Sequence, residues 1–211
     1  MPRPKNEELK ARIRKEAWRQ FRTQGYTATS YSSIAEACHV NRALVQYHCP
    51  KKEQLAIGFF ERLLAACCET LGFSEADLQG NSPCIFQVGC CYFGFLMERG
   101  YRRFLADIIT SRETTETMLA FNGGWALAHA GVPMPEGPAL TAVKHAVITR
   151  MGGFYELLYH CLKTGEAMDV PAELAVVVDA FARAVGEGDG EPLDPAPGRV
   201  AYGQAALLVS I

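Results

Sequence analysis

The chain has 211 residues, 49% of them hydrophobic and 21% charged. This ordinary globular mixture excludes a wholly disordered chain, a collagen and a small disulfide-dependent scaffold, and the length suffices for one or two domains with a sizeable core. No apolar run approaches the ~18–20 residues that a membrane span needs, and the opening Met-Pro-Arg-Pro-Lys-Asn-Glu-Glu lacks the apolar stretch of a signal peptide. The chain therefore reads as cytoplasmic, without a membrane partner, and its eight cysteines as mostly free thiols. The net charge of −2 conceals an asymmetry: residues 1–55 hold 11 basic and 5 acidic side chains, net +6, and residues 56–211 hold 10 and 18, net −8. A basic quarter beside an acidic remainder suggests a polyanion-binding module on a body that avoids polyanions.

Strand signals are nearly absent and helical periodicity is common, so the fold class is all-α. A first helix is predicted from Asn6, a good cap followed by Glu7 and Glu8, to Gly25. Leu9, Ile13, Ala17 and Phe21 form its apolar stripe, and Lys10, Arg12, Arg14, Lys15, Arg19 and Arg22 its basic face. A short helix fits Tyr31 to Cys38, capped by Thr29 or Ser30, with Ile34, Ala35 and Ala37 facing inward. After a break at His39-Val40, a third helix runs from Arg42 to about His48 with Asn41 as its cap. Pro50 stops it and can open a fourth helix, about Lys51 to Leu71.

Gly72 to Ser82 reads as a loop. A fifth helix, capped by Ser82 before Pro83 and ending at Gly100, is apolar nearly all round and is expected to be buried. Two more helices fit Tyr101 to Ser111 and Glu113 to Ala130, and a breaker-rich loop follows at Gly131 to Pro138. Ala139 to Thr164 is a long helix, and Pro171 to Val185 another. Gly186 to Gly198 reads as a mobile acidic loop, and Arg199 to Ile211 as either a short final helix or a tail.

Two short helices joined by a tight turn, after a basic first helix, form a helix-turn-helix pattern, so residues 1–50 read as a three-helix DNA-binding domain. Ile34, Ala35, Val40 and Val45 make a small core that sets the crossing angle. Asn41, Arg42, Gln46, Tyr47 and His48 project from the exposed side of the third helix. Arg pairs with guanine and Gln with adenine in the major groove, while Thr29, Ser30, Tyr47 and Lys52 are placed to reach phosphates. The first turn of the fourth helix also favours a phosphate.

These residues resemble the tetracycline-repressor (TetR) family over residues 9–55. The matching positions are Ile13, Ala17, Phe21, Gly25-Tyr26, Thr29-Ser30, Ile34-Ala35, Ala37, Val40, Tyr47-His48 and Lys52-Glu53-Gln54-Leu55. His39 stands where the family usually has Gly, Gln46 where it has Tyr, and Cys49 where it has an aromatic residue. The resemblance implies a homodimeric transcriptional regulator that binds a palindromic double-stranded operator, with residues 51–211 as a helical effector-binding and dimerisation domain. A repressor released by a small apolar or aromatic effector is the leading expectation. It implies an effector cavity among Phe86, Cys90, Phe93, Phe104, Phe121, Trp125, His129, Phe154 and Tyr155. It also implies a dimer interface of the last long helices, through Met151, Phe154, Leu158, Leu174, Val178 and Phe181. The mid-helix pair Gly152-Gly153 fits a close helix–helix approach there.

The cysteines have two readings. They are buried small apolar side chains, or Cys67/Cys68 and Cys90/Cys91 on facing helices form a thiol or soft-metal sensor, with Cys161 able to join. No zinc-type spacing, nucleophile–base–orienter triad or Gly-rich phosphate loop is present, so no catalytic residue, metal site or cofactor is expected and the chain does not read as an enzyme. A third reading is a helical ligand-binding protein that has lost specific DNA binding.

Overall fold

The computed structural model describes residues 4–133, 135–186 and 191–208, which form eleven α-helices, a closing 3-10 turn and no strand. Helix α1 (Pro4–Ala28) buries Ile13, Ala17 and Phe21 completely, as their four-residue spacing requires. Gly25 breaks the helix at φ 84° rather than ending it. Helix α2 (Tyr31–Ala37) is capped by Ser30, which exchanges hydrogen bonds with Ser33 in a capping box. Helix α3 (Arg42–His48) is capped by Asn41, whose Oδ1 accepts from the Leu44 N–H at 2.8 Å. Ile34, Ala35 and Val45 are buried as expected, but Ala37 is exposed, because with Glu36 it lies on the outer face of α2, between the buried positions Ile34 and Cys38 one turn apart.

Helix α4 (Glu53–Leu71) starts with Lys52 as its N-cap, so Pro50 stands in the link and does not open the helix. The expected loop after Gly72 contains helix α5 (Glu75–Leu78). It is nucleated by a Ser74/Asp77 capping box and anchored by buried Leu78. Helix α6 (Ser82–Glu98) is capped by Asn81 rather than Ser82 and forms the buried centre of the body. Helices α7 (Arg102–Thr110), α8 (Arg112–Ala128), α9 (Gly137–Thr164) and α10 (Val170–Val185) follow near their expected limits. Of the expected acidic loop, residues 187–190 lie outside the described residues, and Pro195 already opens helix α11 (Pro195–Gln204). The 3-10 turn Ala205–Leu207 follows, so the final helix is realised, with residues 209–211 outside the description.

α11 lies across α6 at close range. A Cβ on Gly94 would come within 2.7 Å of the Tyr202 carbonyl oxygen, so only glycine admits this crossing. α1 packs on α7 through Phe21 stacked on Phe104 at 4.9 Å, and Phe59, Phe60 and Tyr101 complete the aromatic cluster. The Thr27 N–H donates to Asp107 Oδ2 at 2.8 Å. The apolar core thus runs without a break from the helix-turn-helix segment into the body.

The expected interface residues Phe154, Leu158, Leu174 and Phe181 are buried within their own chain, which corrects that assignment. Phe154 packs edge-on against Phe93 of α6 at 4.9 Å, Leu174 lies against Gly89 of α6, and Phe181 joins Ala130 and Val143 in a small second cluster. Met151 and Val178 are half-buried. The large apolar side chains that α9 and α10 leave outside are instead Ile148, Leu157 and Val176.

Candidate nucleic-acid interface and body cavity

Along α3, Arg42 and Gln46 stand one turn apart on one face, with Tyr47 beside them. All three are exposed, Tyr47 at 74%. Val45 anchors the opposite face, so the polar flank points away from the molecule's own core. The angle of α3 depends on the turn before it. The His39 N–H donates to the Glu36 carbonyl and the Val40 N–H to the Ala35 carbonyl, both at 3.0 Å. This double bond pattern closes a helix through a left-handed residue, and His39 takes that conformation at φ 51°.

The other expected DNA contacts divide. Ser30 and Asn41 are exposed, but their side chains cap α2 and α3. Thr29 is buried, with its hydroxyl donating to the Gly25 carbonyl at 2.7 Å, so it closes the broken end of α1 and does not present a donor outward. Lys52 Nζ donates to the Tyr26 and Thr29 carbonyls at 3.0 and 3.1 Å and lies 3.9 Å above the Tyr26 ring. Burial holds its pKa below the ordinary lysine range. Its side chain therefore ties α1 to α4, which corrects the expected phosphate role. His48 turns its Nε2 into the protein, where that atom has no hydrogen-bond partner among the described residues.

A concavity of the body, about 720 Å³, opens between α4, α5 and α8. Of the expected effector residues, Phe121, Trp125 and His129 line it. The other six are corrected to core. Phe86 and Cys90 pack against α11 at Gly198, and Phe104 stacks on Phe21. Phe93 packs on Phe154, and the Tyr155 hydroxyl accepts from Asn122 Nδ2 at 2.7 Å. Sequence reasoning missed Glu61, Cys68, Phe73 and Glu75 on the cavity wall. The Ser74-Glu-Ala-Asp77 capping pattern was the signal for α5, which carries Glu75 into place.

His129 Nδ1 lies 2.7 Å from the Trp125 carbonyl and Nε2 3.1 Å from Glu75 Oε1. The cavity thus combines the aromatic side chains Phe73, Phe121 and Trp125 with the His129–Glu75 pair.

On facing helices, Cys67 and Cys91 are neighbours, and the interaction of the two thiols lowers the Cys91 pKa and raises that of Cys67, which burial raises further. Both are fully buried. Among the described residues no group of three or more His, Cys, Asp or Glu side chains is arranged to hold a metal ion, and no helix is long and apolar enough to cross a membrane.

Residues 13–58 match the family described as bacterial regulatory proteins, tetR family. The match runs from the first buried residue of α1 through the helix-turn-helix into α4. A search of curated proteins finds no match.

Proposed function

We propose that this chain, which belongs to the tetR family of bacterial DNA-binding transcriptional regulators, is a homodimeric repressor that a small aromatic effector releases from a palindromic operator. The observation that carries this reading is the outward polar flank of α3: the side chains of Arg42, Gln46 and Tyr47 are exposed and make no hydrogen bond to the described residues. In the reading, Arg42 and Gln46 meet base edges and Tyr47 meets a phosphate or a thymine methyl. Asn41 and Ser30 hold the helix ends toward the backbone, and His48 and Lys52 support them from behind. The effector enters the cavity beside Phe121, Trp125 and His129, with a polar group exchanging hydrogen bonds with the His129–Glu75 pair. Such a ligand changes operator affinity only by binding one head spacing better than the other. The dimer is formed by the outer faces of α9 and α10, where side chains added at Gly152 and Gly153 would meet nothing in their own chain.

Selection of bound duplexes from a random pool at fixed salt tests the DNA half of this reading. A palindromic consensus is expected. Arg42→Ala is expected to weaken its binding about tenfold or more and to relax preference at one base pair per half-site. Recovery of no consensus, or unchanged binding by the variant, would overturn it.

A second reading draws on the contact of Cys67 with Cys91, in which oxidation of the pair is the signal. Their burial argues for slow access of oxidant. Thiol titration alongside DNA binding, with and without peroxide, separates the two inputs.

A further inference from the structure

We propose that a second cleft, cationic and separate from the body cavity, binds a small molecule carrying adjacent phosphate groups. The cleft, about 450 Å³, lies between one flank of α1 and the far end of α6, and its size suits a small-molecule site. Arg12, Lys15, Arg19 and Arg22 succeed one another along that flank at helical spacing, and Arg99 faces them from the end of α6. Glu16 is the single carboxylate in the lining.

The partners of these cations leave most of their charge unbalanced. Arg19 is held by Glu16 through two hydrogen bonds of 2.8 and 2.7 Å. Arg12 donates to the Cys38 carbonyl at 3.1 Å and Arg99 to the Ala206 carbonyl, both neutral acceptors. The side chains of Lys15 and Arg22 have no hydrogen-bond or ion-pair partner among the described residues. Like charges gathered around a concavity repel one another, and a compact multivalent anion relieves that repulsion. Guanidinium forks suit phosphate oxygens in particular.

The floor is apolar, built from Phe95, Tyr101 and Leu208, and offers a surface to the rest of the ligand. A duplex fits the cleft poorly. It presents phosphates on a convex rod, whereas this concavity is walled on one side by α6 and the C-terminal segment and receives no residue from α3. A bound phosphate compound would bridge the helix-turn-helix segment to the body, since α1 and the end of the α2 segment at Cys38 form one wall and α6 the other.

Isothermal titration of the full chain with adenosine diphosphate, against adenosine at matched ionic strength, tests the proposal. One saturable site per chain is expected for the diphosphate and none for adenosine. The double variant Lys15→Ala/Arg22→Ala changes two exposed side chains, and its fold is checked by circular dichroism. It is expected to bind the diphosphate about tenfold or more weakly, the scale of a lost charge-assisted contact. Arg62→Ala/Arg112→Ala, which removes the same charge elsewhere, is expected to bind as the parent does. Absence of saturable binding, or equal weakening by both double variants, would overturn the proposal. So would a double variant that loses DNA affinity with a flatter salt dependence while no diphosphate binds, since the flank would then be a contact for the DNA backbone. None of these outcomes depends on an effector in the α4–α5–α8 cavity.

Discussion

His39 carries the geometry of the reading head in one backbone angle. At φ 51° it closes α2 through two main-chain hydrogen bonds and releases Val40 to pack beneath α3. Histidine visits this region more readily than most residues, and a β-branched side chain strains there. His39→Val is expected to cost about 1–2 kcal/mol, seen as a lower melting temperature, whereas His39→Asn should be near neutral; equal melting of the two would refute a strained turn. The site residues were legible in the sequence in proportion to their independence from distant neighbours. Asn41 as a cap and Arg42 with Gln46 on one exposed face follow from local spacing. Thr29 and Lys52 do not. The Thr29 hydroxyl turns back to Gly25 because α1 breaks there, and Lys52 reaches the Tyr26 and Thr29 carbonyls, which only the folded chain brings to it.

At the scale of elements, periodicity and caps located nine of the eleven described helices, left the last open between helix and tail, and missed α5, a single turn too short to show a repeat. The fate of the apolar faces was less legible. A stripe on α9 or α10 reads the same whether it meets its own chain or a second copy, and Phe154, Leu158 and Leu174 turned out to be internal. The α6–α11 crossing had the same standing. Along the sequence Gly94 is one more small residue of an apolar helix, and only the fold sets the Tyr202 carbonyl against it. Gly94→Ala forces the new methyl toward a backbone oxygen that cannot rotate away. It is expected to destabilise by about 1–3 kcal/mol, with faster amide exchange in α11 before the rest of the body. Unchanged stability would show that the two helices separate easily.

For the whole molecule, the aromatic cluster of Phe21, Phe59, Phe60, Tyr101 and Phe104 joins the reading head to the body. Dense packing of this kind transmits a shift rather than absorbing it. In the proposed dimer, head spacing therefore follows the arrangement of the body. The apolar side chains left outside, Leu157 at 38% and Val176 at 54% exposure, lie on α9 and α10, the pair proposed to meet a second copy. Leu157→Glu/Val176→Glu is expected to give a monomer by analytical ultracentrifugation, with an unchanged helical spectrum and operator affinity reduced at least tenfold, because two half-sites are no longer held together. A dimer that survives both charges would move the interface elsewhere.

The sequence by itself determined the helical class, the helix-turn-helix and the polar flank of α3, because each is written in contacts between residues a few positions apart. Only the tertiary structure decided which aromatic residues line the cavity, which apolar faces remain outside, and where the cations of α1 meet Arg99. The physical reason is that a side chain's periodicity states which way it points on its own helix, while its partner is chosen by long-range packing among all the helices at once.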